Sequence, residues 1–238
     1  MARIQSAQVV TGSLEKEMAR LSRRKFLGYA GAATGLMAGL AACTRQTDQS
    51  ARVSGDGVDL GSGDPGILNY AYALEQLEAA FYTKVIMSPY ANMGAGETAL
   101  ITDIRDHEIA HREFFKNALT AAGAAIQELE FDFSSIDFGS RTSVLGTAKA
   151  FEDLGVSAYN GAGRLIKNPD YLVLAGKIVS VEARHASYIR DLIAMNSFAD
   201  DTIIDMNGLD VTNKPADVLP IAQKYIKTKL DGSHLPFY

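Results

Sequence analysis

The chain has 238 residues, 47% of them apolar, which favours one domain or two with a substantial core. A single cysteine excludes an internal disulfide and any zinc or iron–sulfur site built from cysteines. Without residues 1–42 the remainder holds 17 basic and 26 acidic residues and carries −9 rather than the overall −5. That balance argues against nucleic acid as a partner and suits cations.

The first 43 residues read as a targeting segment. Arg23 and Arg24 precede an uncharged apolar run, residues 26–42, that is short for a spanning helix and only mildly hydrophobic. The stretch resembles a twin-arginine export signal, and Leu40-Ala41-Ala42-Cys43 resembles the lipobox of bacterial lipoproteins, with Cys43 as the lipidated residue. The expected location is outside the cytoplasm, periplasmic or at the cell surface. The expected partner there is a membrane, reached through the lipid or an N-terminal anchor.

Residues 44–64 are rich in Gly, Ser and Asp without apolar periodicity and read as a flexible tether. Asp64-Pro65 then suggests an N-cap followed by proline at the first helical position. Helical patterns are expected over 65–87, 97–122, 142–167 and 171–196, each long enough for a four-helix bundle. Between the second and third, residues 129–133 alternate in a way that fits extended chain, with no evident pairing partner. Residues 197–238 form a tail expected to wrap the bundle, with one weak helix near 216–229.

The four helical patterns are two copies of one unit. The first and third carry Glu-x6-Tyr, as Glu75 with Tyr82 and Glu152 with Tyr159; the second and fourth carry Glu-x-x-His, as Glu108 with His111 and Glu182 with His185. Each of these groups lies on an apolar face: Ile101, Ile104, Phe115 and Leu119 surround Glu108, and Ile178, Ala186, Ile189 and Ile193 surround Glu182. Carboxylates buried together repel one another and are costly to desolvate; two divalent cations among them remove both problems.

This pattern resembles the ferritin-like di-iron proteins, in which two helices give one Glu each and two give Glu-x-x-His. "LNYAYALEQLEAAFY" is similar to the first helix of bacterioferritins and rubrerythrins, and "EQLEAAFY" and "GVSAYNGA" are similar to the desiccation-related ferritin-like proteins. The resemblance implies an all-α, antiparallel four-helix bundle with a long crossover between helices two and three. It implies two iron ions, or manganese in their place. Glu75, Glu108 and His111 would serve one ion, Glu152, Glu182 and His185 the other, with Glu108 and Glu182 bridging. Glu78, close to Glu75 on the same helix, stands as an extra ligand or a substitute for it. Tyr82 and Tyr159 are either core packing or hydrogen-bond donors to the ligand carboxylates. O2 or peroxide would be the reactant, in an oxidase, peroxidase or stress-protective role. A homodimer is left open, as is a non-catalytic role for a membrane-tethered bundle in desiccation or stress protection.

A second reading exists for "DHEIAHREFF". His107-Glu108-x-x-His111 has the HExxH spacing of a zinc protease. It needs a third ligand, and it leaves Glu182-x-x-His185 and the Glu-x6-Tyr repeat without purpose. In the two-metal reading His107 makes only a surface or supporting hydrogen bond. His234, in the tail, is assigned no chemistry.

Overall fold

The computed structural model describes residues 53–54 and 57–237; the arginine pair and Cys43 lie outside them. Four long helices dominate: α1 (Gly63–Met87), α2 (Ala95–Ala121), α3 (Arg141–Gly163) and α4 (Pro169–Ile193). The fold is all-α, as expected. Helices α1 and α2 pack as one hairpin, α3 and α4 as another, and α1 lies against α3.

The directions follow from side-chain pairs. Tyr82 of α1 meets Glu152 of α3 while Tyr159 meets Glu75, so α1 and α3 are antiparallel. His107 and Glu108 of α2 both reach His185 of α4 while His111 reaches Glu182, so α2 and α4 are antiparallel too. Helices α2 and α3 therefore run the same way, and residues 122–140 must travel back along the bundle to join them. Two buried side chains of α1, seven residues apart on one face, hold this crossover. Asn69 donates to the Ala124 carbonyl at 2.8 Å and accepts from the Ile126 amide at 3.1 Å; Gln76 accepts from the Leu129 amide at 2.9 Å.

The alternating stretch 129–133 finds a partner in the tail. Phe131 forms an isolated bridge with Ile226, Lys227 N–H donates to the Glu130 carbonyl and Asp132 N–H to that of Tyr225, both at 2.8 Å. This pairing ends the weak tail helix early. It is α5 (Pro215–Ala222), followed by a 3-10 turn over Gln223–Tyr225, because Ile226 must be extended to bridge. Phe81 of α1, Phe133 and Phe138 of the crossover, Phe151 of α3 and Tyr225 of the tail form one chain of ring contacts with centroids 4.8–6.1 Å apart. At Gly161 the tail crosses α3 so closely that a Cβ would stand 1.8 Å from the Asn213 carbonyl oxygen.

Three expectations are corrected. Residues 57–64 are not tether. Strand β2 (Gly57–Asp59) pairs antiparallel with β1 (Val53–Ser54) and parallel with β3 (Leu230–Asp231), and Val58 and Leu60 are buried. Asp64 does not cap α1, whose N-cap is Ser62. Its carboxylate accepts the Lys167 and Asn168 amides at 2.8 and 2.9 Å and so caps the turn between α3 and α4. Helix α3 accordingly stops at Gly163, four residues short of the expected end. Among the described residues no helix is long and apolar enough to cross a membrane.

Candidate metal centre

Each helix delivers its acid by periodicity: the face that carries Ile101, Ile104, Phe115 and Leu119 into the core of α2 carries Glu108 and His111 with it. In the same way α4 buries Glu182 and His185 beside Ile178 and Ile189. Glu75, Glu108 and Glu152 are 0% exposed and Glu182 1%. All four meet at the middle of the bundle.

The geometry has a pseudo-twofold relation. Nδ1 of His111 stands 3.4 Å from Glu75, 3.7 Å from Glu108 and 2.8 Å from Glu182. Nδ1 of His185 stands 3.5 Å from Glu152, 3.2 Å from Glu182 and 2.8 Å from Glu108. Each histidine is thus nearest the glutamate of the other unit. Two donor groups result, Glu75–Glu108–His111–Glu182 and Glu108–Glu152–Glu182–His185, and only Glu108 and Glu182 belong to both.

The tyrosines also cross between units. Tyr82 donates to Oε1 of Glu152 at 2.5 Å, and Tyr159 donates to Oε1 of Glu75. The Glu-x6-Tyr spacing within one helix therefore does not pair Glu75 with Tyr82. Antiparallel packing of α1 on α3 pairs each tyrosine with the opposite glutamate. One oxygen of each outer carboxylate is held in this way, and the other, Oε2, is buried without a hydrogen-bond partner.

Glu78 is buried but belongs to neither donor group. Its carboxylate lies against Gly155, where a Cβ would stand 3.1 Å from Oε1. Glu78 and Gly155 occupy the same place in the two repeats, each three residues after its glutamate, so the glycine of one unit makes room for the acid of the other. The repeat itself contained that signal. The HExxH reading does not survive: His107 lies in neither donor group, and its Nδ1 faces Nε2 of His185 at 2.9 Å.

Charge in the cluster is uneven. Burial pushes Glu108 up to about 8, and Glu182 adds to the push. Burial, and then the surrounding carboxylates led by Glu108, drive Glu78 well above its ordinary range. Burial also raises Glu182, but its contacts with His111 and His185 prevail and hold it down to about 2. Burial disfavours both imidazolium ions, yet Glu75 raises His111 and Glu152 raises His185 well above the usual value. A pH dependence follows. A group raised in the folded state stabilises below its unfolded pKa and loses that contribution as pH climbs through the folded one. Glu108 loses its share between about 4.5 and about 8, and the imidazoles lose theirs above 6.5. Glu182, depressed, contributes above about 4.5 and is constant across this range. Protein stripped with a chelator is expected to melt at a higher temperature at pH 6 than at pH 8.5. Melting scans at the two values check this, and the opposite order refutes it.

A family model described as a ferritin-like domain matches residues 63–195, more than half of the chain. The chain belongs to the ferritin-like domain family. Among curated proteins none matches. The match spans α1 to α4 and leaves out the sheet and the tail that close this ferritin-like bundle.

The donor set fits a metal centre. Oε2 of Glu75, both oxygens of Glu108, Oε2 of Glu152, Oε1 of Glu182 and Nδ1 of His111 are buried with no hydrogen-bond partner. Nδ1 of His111 and Oε1 of Glu182 are only 2.8 Å apart and still not aligned for a hydrogen bond. Atoms so placed aim past one another, as ligands around a common ion do, where adjacent donors at about 2.1 Å from the metal lie about 3 Å apart. Carboxylates with two imidazoles are the donors of hard to intermediate divalent ions rather than of thiophilic ones.

Proposed function

We propose that this is an exported, membrane-tethered ferritin-like protein that holds two iron ions, with manganese as the chemical alternative, and reduces O2 or peroxide in an oxidase, peroxidase or stress-protective role. The observation that carries the reading is the set of buried oxygen and nitrogen atoms without hydrogen-bond partners, converging in two donor groups that share Glu108 and Glu182. Two ferrous ions bound there supply the two electrons that such a reduction needs.

The residues divide the work. Glu75, Glu108 and His111 would hold one ion and Glu152, Glu182 and His185 the other, with Glu108 and Glu182 shared. Tyr159 and Tyr82 fix Glu75 and Glu152 by one oxygen each and so leave the second oxygen free for an ion. The Phe81 ring cluster excludes water from the side of α1 and α3 that bears Tyr82. Export and tethering rest on Arg23, Arg24 and Cys43.

Anaerobic titration of the full chain with Fe(II), followed by O2, tests the reading. Two ions per chain and oxygen uptake are expected, with both lowered by Glu108→Ala; loading well below two that Glu108→Ala leaves unchanged rejects it. Membrane fractionation tests the tether separately: Cys43→Ser is expected to release the protein from the membrane, and retention counts against lipidation.

A further inference from the structure

The two repeats differ at one position beside the histidines. The residue before Glu108 is His107; the residue before Glu182 is Val181. His107 is exposed on α2, yet it faces across to α4. Its Nδ1 is 2.9 Å from Nε2 of His185, and the two ring planes are within 7° of parallel. Nε2 is the nitrogen of His185 turned away from the carboxylates, since Nδ1 is the one within 2.8–3.5 Å of Glu108, Glu182 and Glu152. By the pseudo-twofold relation, the residue placed to serve His111 in the same way is Val181, whose side chain has no nitrogen or oxygen.

An imidazole that offers the Nδ1 lone pair to a cation carries its ring proton on Nε2. For His185 that proton has an acceptor built into the protein, the Nδ1 of His107. We propose that His107 is a positioning residue that fixes His185 with Nδ1 toward the carboxylates and so makes the two metal positions unequal. The position served by Glu152, Glu182 and His185 fills first and binds more tightly than the one served by Glu75, Glu108 and His111. This rests on the two-metal reading above.

The physical basis is general. A hydrogen bond from the outer N–H of a ligating imidazole fixes ring orientation and tautomer and raises the basicity of the inner nitrogen; losing such a partner lowers metal affinity by about 10–100-fold. A neutral imidazole is a weaker acceptor than a carboxylate, which places His107 at the lower end, about tenfold. Because His107 is on the surface, the bond adds little to the stability of the fold, so binding and melting are separable.

Anaerobic titration of the full chain with Co(II), read by its visible absorption and by heat, makes the test. Wild type is expected to bind two ions in two resolved steps. His107→Val weakens the tighter step about tenfold, brings the two together and leaves the melting temperature of the stripped protein unchanged. His107→Asn, whose side-chain oxygen can stand where Nδ1 stood, restores the separation. Val181→His, which supplies an acceptor on the other side, tightens the weaker step. The proposal is overturned if His107→Val leaves both steps in place or weakens them equally, or if His107→Asn binds as His107→Val does. A wild-type chain that takes up no Co(II) overturns the two-metal reading as well, which tells the two failures apart.

Discussion

Glu182→Gln is expected to abolish binding of both metal ions, whereas Glu152→Gln abolishes one. Glu182 belongs to both donor groups, with Oε1 2.8 Å from His111 and Oε2 3.2 Å from His185. Its amide keeps the volume but removes the charge and one of the two oxygens, and neither ion can then be served from both sides. Glu152 belongs to one group only, and Tyr82 holds its other oxygen. The effect is large because a ligand that binds only the folded state stabilises it by about 4 kcal/mol at a thousand times its dissociation constant. In a fold of this size that amounts to a rise in melting temperature of about 8–16 °C on loading. Wild type should show the full rise, Glu152→Gln a part of it and Glu182→Gln none. Retention of two ions by Glu182→Gln, or loss of both by Glu152→Gln, would contradict the shared role.

Arg190→Met should be the most destabilising single change outside the centre, by about 3 kcal/mol, the lower end for breaking a buried ion pair. Arg190 is 1% exposed near the C-terminal end of α4. It binds Asp153 with two nitrogens, at 2.7 and 2.9 Å, and reaches Asp200 and Thr202 in the tail at 2.9 Å each. One side chain thus joins α4 to α3 and to the segment after α4. Methionine fills the volume of the stem but leaves Asp153 without its main cation, with Lys149 as the remaining contact at 3.0 Å. The lower end of the range applies because Asp200 is partly open to water, which screens the pair. Denaturant unfolding of stripped wild type and variant measures the difference. A loss under about 1 kcal/mol would show that the network contributes no more than a surface ion pair.

Much of the centre was legible in the sequence. Glu108 with His111 and Glu182 with His185 stand one helical turn apart on apolar faces, and a helix fixes that spacing whatever it packs against. The long crossover was legible too, through the resemblance. What local reasoning assigned wrongly shares one cause. It read residues 57–64 as tether from composition and made Asp64 a cap for its own helix. In both cases the partner is far along the chain: Leu230 for Val58, the Lys167 and Asn168 amides for Asp64. The supporting hydrogen bond expected of His107 is present, and only the packing of α4 against α2 names His185 as its partner.

The sequence by itself determined the four helices, the doubling of the αα unit and the identity of the six inward-facing acids and imidazoles, because helical periodicity and the cost of burying charge act within about two turns of chain. Only the tertiary structure decided which tyrosine holds which carboxylate and that Arg190 fastens the tail. Those contacts join residues on helices brought together by the antiparallel packing of α1 on α3 and α2 on α4, and by the return of the crossover and tail along the bundle. No local pattern encodes them.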